Sequence, residues 1–223
     1  MSKKAARTGK TSSTRHYFDD PDDGPSKTTS HPTFAAICKP AWFYDCGDDF
    51  APFGNAAGND LLGNLEDWYR GKSRKQAWSF LEDLLESWEL PIAHIAETRS
   101  SVVKKLLRDS EQERVLQQLD QIAIALAFGQ CKITGAVDDD IHAIAIAASD
   151  RQALVREHER VAYPKWPHAR AKATADKRIR AALDAMRPSS SAQLAIGVLV
   201  RIIDPAAKAT VPMRRNVSSR RTP

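Results

Sequence analysis

The chain has 223 residues, of which 42% are hydrophobic, and a formal net charge of +5. It is long enough for one well-packed domain with flexible ends, and its apolar runs are far shorter than the ~18 residues of a membrane helix. The basic, Ser/Thr-rich start lacks the apolar region of a signal peptide, and three widely spaced cysteines, Cys38, Cys46 and Cys131, favour a reducing compartment. We therefore expect a soluble cytoplasmic protein without membrane contact or disulfides.

The charge is unevenly distributed along the chain. Residues 31–140 carry 11 Lys and Arg against 18 Asp and Glu, a balance of −7, whereas residues 141–223 carry 16 against 6, a balance of +10. Such asymmetry is typical either of nucleic-acid contact or of a solvated helix face followed by a basic tail. We expect three parts: a disordered tail at 1–30, a helical domain at 31–204 with an acidic body (31–135) and a basic portion (136–204), and a disordered basic tail at 205–223.

The first predicted elements surround an unusual segment, residues 42–60. A short helix is predicted within 31–40, where apolar residues share one face. Residues 42–60 then form a loop that glycine and proline interrupt repeatedly, and they hold five aromatic residues and four aspartates. An amphipathic helix follows over 61–69, with Asn59 or Asp60 as its N-cap.

The rest of the chain predicts further helices. Capping boxes, in which a serine precedes Glu or Gln by three positions, mark three helix starts, and Gly71 and Gly135 mark two helix ends. The boxes are Ser73–Gln76, Ser110–Glu113 and Ser190–Gln193; other helices are expected at 102–107, after Asp138–Asp140, at 168–187 and at 194–203, where a strand is the alternative. The predicted fold class is all-α, a single compact domain of six or seven helices.

Motifs that carry catalysis or bind cofactors are not recognisable in the sequence. The six histidines are scattered, no serine or cysteine lies in a nucleophile motif, and no Gly-rich phosphate loop is present. Cys38 and Cys46 lack the second pair of ligands that a zinc site needs. We predict no catalytic residue, no metal site and no cofactor, and we favour a protein that is not an enzyme.

The polar and aromatic residues of the loop allow three interpretations. Carboxylate and amide oxygens at this density can hold a metal ion or support acid–base catalysis, but Asp and Asn also form turns and helix caps, which we favour here. The aromatic rings either close the helical core or, if exposed, form a protein-binding surface. The candidate partner-binding residues are Trp42, Asp45, Asp48, Asp49, Phe50, Phe53, Asn55 and Asp60.

Residues 42–62 form a recognisable pattern. It begins with the aromatic residues Trp42, Phe43 and Tyr44 and continues with the run Ala51-Pro52-Phe53-Gly54-Asn55 and the turn Gly58-Asn59-Asp60-Leu61-Leu62. This pattern resembles the YfeS-like bacterial proteins of unknown function, with a match over about residues 31–88. Ala56 and Ala57 stand where the family pattern has acidic residues, which argues against a metal site here. The resemblance implies occasional association with toxin and immunity gene clusters, and hence an immunity-like role.

We therefore expect a non-enzymatic interaction protein that binds a protein partner through loop 42–60. The alternative is a nucleic-acid-binding accessory protein that acts through the basic C-terminal helices and tail, with strongly salt-dependent phosphate contacts. Its candidate residues are Lys172, Lys177, Arg178, Arg180, Arg214 and Arg215. A third hypothesis is a metal-dependent hydrolase centred on Asp45, Asp48, Asp49 and Asp60.

Overall fold

The computed structural model describes residues 15–71 and 76–186. Within these ranges the chain forms seven α-helices and no strand, which confirms the predicted all-α class. Two short 3-10 helices, Ala41–Tyr44 and Ile92–His94, lie in the connections. The α-helices are α1 (Pro32–Ile37), α2 (Ala56–Arg70), α3 (Ala77–Ser87), α4 (Ser100–Leu106), α5 (Ser110–Thr134), α6 (Asp139–Ala162) and α7 (Ala169–Ala185).

The longest helix, α5, lies at the centre of the fold. Every residue from Ile122 to Ile133 is buried, as expected of a helix that is apolar on nearly all sides. Helices α1, α2, α4 and α6 contact α5, and α7 packs on α6. Gly129 allows α2 to approach closely, because a Cβ atom at this position would lie 2.9 Å from Leu65 Cδ2.

Some predicted helix starts differ from the observed ones. Helix α3 begins at Ala77 with Gln76 as its N-cap, whereas the predicted capping box placed Gln76 within the first turn. Helix α2 begins one turn earlier than predicted, because the Asn55 side chain caps it by accepting a hydrogen bond from the Gly58 amide at 2.8 Å. Helix α5 is capped by Asp109, whose Oδ1 accepts from the amides of Glu111 and Gln112. The predicted helix ends at Gly71 and Gly135 are confirmed, and Gly135 adopts the left-handed conformation with a φ of 83°.

Residues 15–30, which the sequence placed in a disordered tail, pack on the helical domain. The Tyr17 amide donates to the Ile133 carbonyl at 3.0 Å, and the Asp19 amide donates to Glu66 Oε1 at 3.0 Å. The fully buried Lys132 ammonium lies 2.7 Å from Asp19 and 3.3 Å from Glu66. A buried lysine needs nearby carboxylates, and this requirement draws the segment against α2 and α5.

Several sequence predictions lie outside the described residues. These are the tail at 1–14, residues 73–75 of the first predicted capping box, the capping box at Ser190–Gln193, the helix or strand at 194–203, and the tail at 205–223.

A buried ion pair ties the connection before α4 to the central helices. Arg151 of α6 donates from Nε to Asp120 Oδ1 of α5 at 2.8 Å, and from Nη1 and Nη2 to the carbonyls of Glu97 and Ile95 at 2.7 and 2.9 Å. Burial raises the pKa of Asp120 to about 6, although Arg151 opposes this shift. The pair holds the Ile95 and Glu97 backbone against the core.

Candidate interaction surface and adjoining cleft

The inner side of segment 40–55 closes the helical core. Phe53 is 0% exposed and Phe43 is 4% exposed, and the Phe43 ring stacks on Phe128 of α5 with 5.8 Å between ring centroids. The segment folds tightly on itself at Gly54, where a Cβ atom would lie 1.9 Å from the Asp48 carbonyl oxygen. Phe53 therefore belongs to the core and offers no surface to a partner.

The outer side of the same segment carries two half-buried rings, Trp42 and Phe50. Both are held by one carboxylate: the Trp42 indole Nε1 donates to Asp48 Oδ2 at 2.8 Å, and the Phe50 amide donates to Asp48 Oδ1 at 2.9 Å. Asp48 thus uses both oxygens to fix the positions of two aromatic residues. Such bonds are typical of turns built on aspartate.

The other polar residues of the loop do not converge. Asp45 Oδ1 accepts from the Gly47 amide at 2.7 Å in a local turn, and Asn55 caps α2. Asp49 and Asp60 are exposed. Among the described residues no group of three or more His, Cys, Asp or Glu side chains is placed to hold a metal ion.

Helix α7 lies beside the outer side of the loop, although about 130 residues separate the two in sequence. Together they border a groove of about 450 Å³. The Arg178 guanidinium lies 5.5 Å from the centre of the Trp42 ring, within the range of a cation–π contact. The groove is lined by Trp42, Asp48, Phe50, Pro167, Arg170, Ala171, Thr174, Ala175 and Arg178.

The predicted nucleic-acid-binding cations of α7 fall into two groups. Lys172 and Arg180 are engaged in ion pairs, Lys172 with Asp176 at 3.5 Å and Arg180 with Asp150 and Asp184. Lys177 and Arg178 are exposed. Arg214 and Arg215 lie outside the described residues.

Behind the groove lies a cleft of about 350 Å³ that the sequence did not predict. It is bordered by the loop, α5, α6, α7 and Trp166 in the connection between α6 and α7. The rings of Phe50 and Trp166 meet edge to face with 6.1 Å between centroids. No local sequence signal marks this cleft, because its lining residues come from distant parts of the chain.

The three cysteines are free thiols. Burial raises the pKa of Cys38 and Cys46, and it raises the pKa of Cys131 to about 12. Because the thiolate is the nucleophilic form, these groups are poorly suited to attack a substrate. Among the described residues no helix is long and apolar enough to span a membrane.

Fold and site together define an all-α protein whose aromatic loop closes the core on one side and borders a groove on the other. Over 141 residues the chain is 29% identical to the uncharacterized protein YfeS of Escherichia coli (strain K12), which confirms the resemblance inferred from sequence. The similarity covers 63% of this chain and 57% of the relative, so the chain spans less than two thirds of that protein's length. No family model and no solved structure matches the chain.

Proposed function

We propose that this protein is a non-enzymatic binding module that recognises a protein partner through the loop–α7 face, defined here as Trp42, Asp49, Phe50, Arg170 and Arg178. The observation that carries the proposal is the pair of partly exposed rings, Trp42 and Phe50, at the edge of the groove, where Asp48 accepts from the Trp42 indole and from the Phe50 backbone amide. An immunity-like role is part of this proposal, and identification of the partner tests it.

Fixed aromatic rings at a groove suit protein recognition for an energetic reason. Trp, Tyr and Arg contribute most of the binding energy in many protein interfaces. Side chains that are already immobile lose little conformational entropy when a partner binds. Trp42 meets this condition, since its indole is bonded to Asp48 and its ring is covered on one side by Arg178.

The charges of the loop–α7 face also support a protein partner. Arg170 and Arg178 form no ion pair with any residue that the structure describes, and both are exposed. Asp48 lines the same groove, and its exposed neighbour Asp49 lines the adjoining cleft. A face with both signs of charge around apolar rings matches the mixed composition of protein interfaces better than a uniform polyanion.

Nucleic-acid binding is the second candidate, and the exposed cations Arg170, Lys177 and Arg178 on one helix favour it. Helix α7 supports nucleic-acid binding less than the sequence suggested, because Lys172 and Arg180 already have carboxylate partners. Phosphate contacts would make binding fall steeply with salt.

A site-specific photocrosslinker tests the protein partner. Placed at Thr174 in the groove, it is expected to yield a discrete protein adduct in cells, whereas the same group at Ser101 on α4 is not. Trp42→Ala should abolish the adduct. Trp78→Ala is the matched control, because Trp78 is another half-buried tryptophan whose indole donates to a carboxylate, Glu82, at 3.0 Å.

Equal adducts from Thr174 and Ser101, or an adduct that survives Trp42→Ala, would contradict the proposal. Duplex DNA titrated at low salt tests the second candidate. Tight, salt-sensitive binding that is lost on replacing Lys177 and Arg178 by alanine would favour nucleic acid. Binding that is undetectable at low salt would rule it out.

A further inference from the structure

The cleft behind the loop–α7 face is lined by aromatic, apolar and polar side chains. Phe50, Trp166, Ile124 and Ile179 line it together with the amides of Gln117, Gln121 and Gln152, and Asp49, Glu159, Lys172 and Asp176 add charged groups. A second cavity of about 750 Å³ adjoins it and shares Gln117, Glu159 and Trp166 with it. We call the two together the joined cleft.

Glu159 lies where the two cavities meet, and it lines both of them. Its carboxylate is half-buried, and it forms no hydrogen bond or ion pair of 4.0 Å or less with any described residue. The neighbouring charges are different, because they compensate one another. Lys172 Nζ donates to Gln152 Oε1 at 2.5 Å and lies 3.5 Å from Asp176, which also pairs with Arg156.

Burial is the main influence on the Glu159 carboxylate, and charges of both signs lie around it. Burial raises its pKa, and Asp176 and Glu113 raise it further, whereas Lys172 and Arg156 lower it. Glu113 lines the larger cavity, so a second carboxylate stands further along the joined cleft. The Glu113 carboxylate accepts from Gln117 Nε2 at 3.4 Å and lies 3.9 Å from His158 Nε2.

We propose that the joined cleft binds a small aliphatic di- or polyamine, with one ammonium between the Glu159 carboxylate and the Trp166 ring and a second towards Glu113. An ammonium would give Glu159 the ion pair that the protein does not provide, and a desolvated cation–π contact with tryptophan adds to it. The methylene chain would lie against Phe50 and Ile124. The joined cleft combines aromatic and apolar side chains with polar ones, as small-molecule sites do.

Other ligand classes fit the joined cleft less well. The lining of the joined cleft carries both signs of charge, with Arg114, Lys165 and Lys172 as its cations. Arg114 and Lys172 already pair with Glu111 and Asp176, whereas Glu159 has no such partner, so the joined cleft favours a cation over an anion. Calcium and magnesium need six or more oxygen ligands, and no described group of three or more His, Cys, Asp or Glu side chains is placed to hold a metal ion. The inference goes beyond the proposed protein partner, because it concerns a different cavity and a small molecule.

Calorimetric titration of the full chain with spermidine and with cadaverine tests the proposal. We expect saturable binding of at least one amine and none of 1,5-pentanediol, which has the length of cadaverine without charge. Glu159→Gln should weaken binding at least tenfold, and Trp166→Leu should weaken it about 2- to 30-fold. Glu86→Gln, which removes the same charge from an exposed position on α3, should leave binding unchanged.

Thermal unfolding of each variant shows whether it is folded before it is titrated. Absence of heat with both amines, or equal binding by Glu159→Gln and the original chain, would overturn the proposal. A lysine-containing peptide provides a further arm, since a lysine side chain carries the same ammonium. Binding of the peptide without binding of either free amine would overturn the small-molecule assignment. Neither result affects the photocrosslinking test of the loop–α7 face.

Discussion

The two sides of segment 40–55 are held in place by different forces. On the inner side Phe43 and Phe53 are buried against the core and packed by dispersion and hydrophobic contacts. On the outer side Trp42 and Phe50 are half-buried, and the hydrogen bonds of Asp48 fix their positions. Some aromatic residues of this segment are therefore part of the core, and others lie at the surface.

This difference implies that stability and binding can be separated by mutation. Changes on the inner side should lower the free energy of unfolding, because they create cavities or clashes. Changes on the outer side should leave the fold intact and reduce the photocrosslinking yield at Thr174. The predictions below test that division, from the largest expected loss of stability to the smallest.

Phe53→Ala is expected to lower the free energy of unfolding by about 3–5 kcal/mol, because it leaves a cavity beside fully buried side chains. Denaturant unfolding followed by circular dichroism measures the loss. Phe50→Ala removes the same side chain from a half-buried position and should cost clearly less. Equal losses in the two variants would show that the segment has no distinct outer side.

Gly54→Ala should destabilise the protein by about 1–3 kcal/mol. The added methyl group would meet the Asp48 backbone, which cannot move without disturbing the turn that holds Trp42 and Phe50. Gly63→Ala is the control, since Gly63 lies within α2 with no neighbouring atom within 4 Å of an added Cβ. There alanine should stabilise the helix by about 0.5–1 kcal/mol. The same unfolding measurement distinguishes the opposite signs.

Much of the fold could be predicted from local sequence. Apolar periodicity located the long helices, and Gly71 and Gly135 ended two of them as predicted. The start of α2 was missed because its first turn, Ala56 to Gly58, has no large apolar residue to reveal a period. The packing of residues 15–30 was missed because it depends on Lys132, which lies more than 100 residues further along the chain.

The candidate site was harder to predict than the fold. Turn chemistry correctly suggested local roles for Asp45, Asp48 and Asn55. The two sequence-based surfaces, the loop and the basic helix, were treated as competing sites, whereas Arg178 lies over Trp42 and makes them one face. Such long-range neighbours leave no periodic signal in a single sequence. The joined cleft was missed for the same reason, since four separate elements and a connecting turn build it.

Asp48→Ala should cost about 1–2 kcal/mol of stability, because the Trp42 indole and the Phe50 amide both lose their acceptor. We also expect a lower crosslinking yield at Thr174, since the two rings are no longer held at the groove. Asp48→Asn keeps one acceptor oxygen and should fall between the original chain and the alanine variant in both measurements. An asparagine variant as impaired as alanine would mean that the negative charge, and not the hydrogen bonds, fixes the rings.

Asp49→Ala is expected to change the free energy of unfolding by less than about 0.5 kcal/mol, because the side chain is exposed. It removes the same charge as Asp48→Ala one position away, so the pair isolates the effect of the Asp48 hydrogen bonds from the effect of charge. If Asp49 contacts the partner, its loss should reduce crosslinking at Thr174 in a fully stable protein. A loss of stability as large as that of Asp48→Ala would show that Asp49 stabilises the loop. Asp49 would then no longer be assigned to the loop–α7 face.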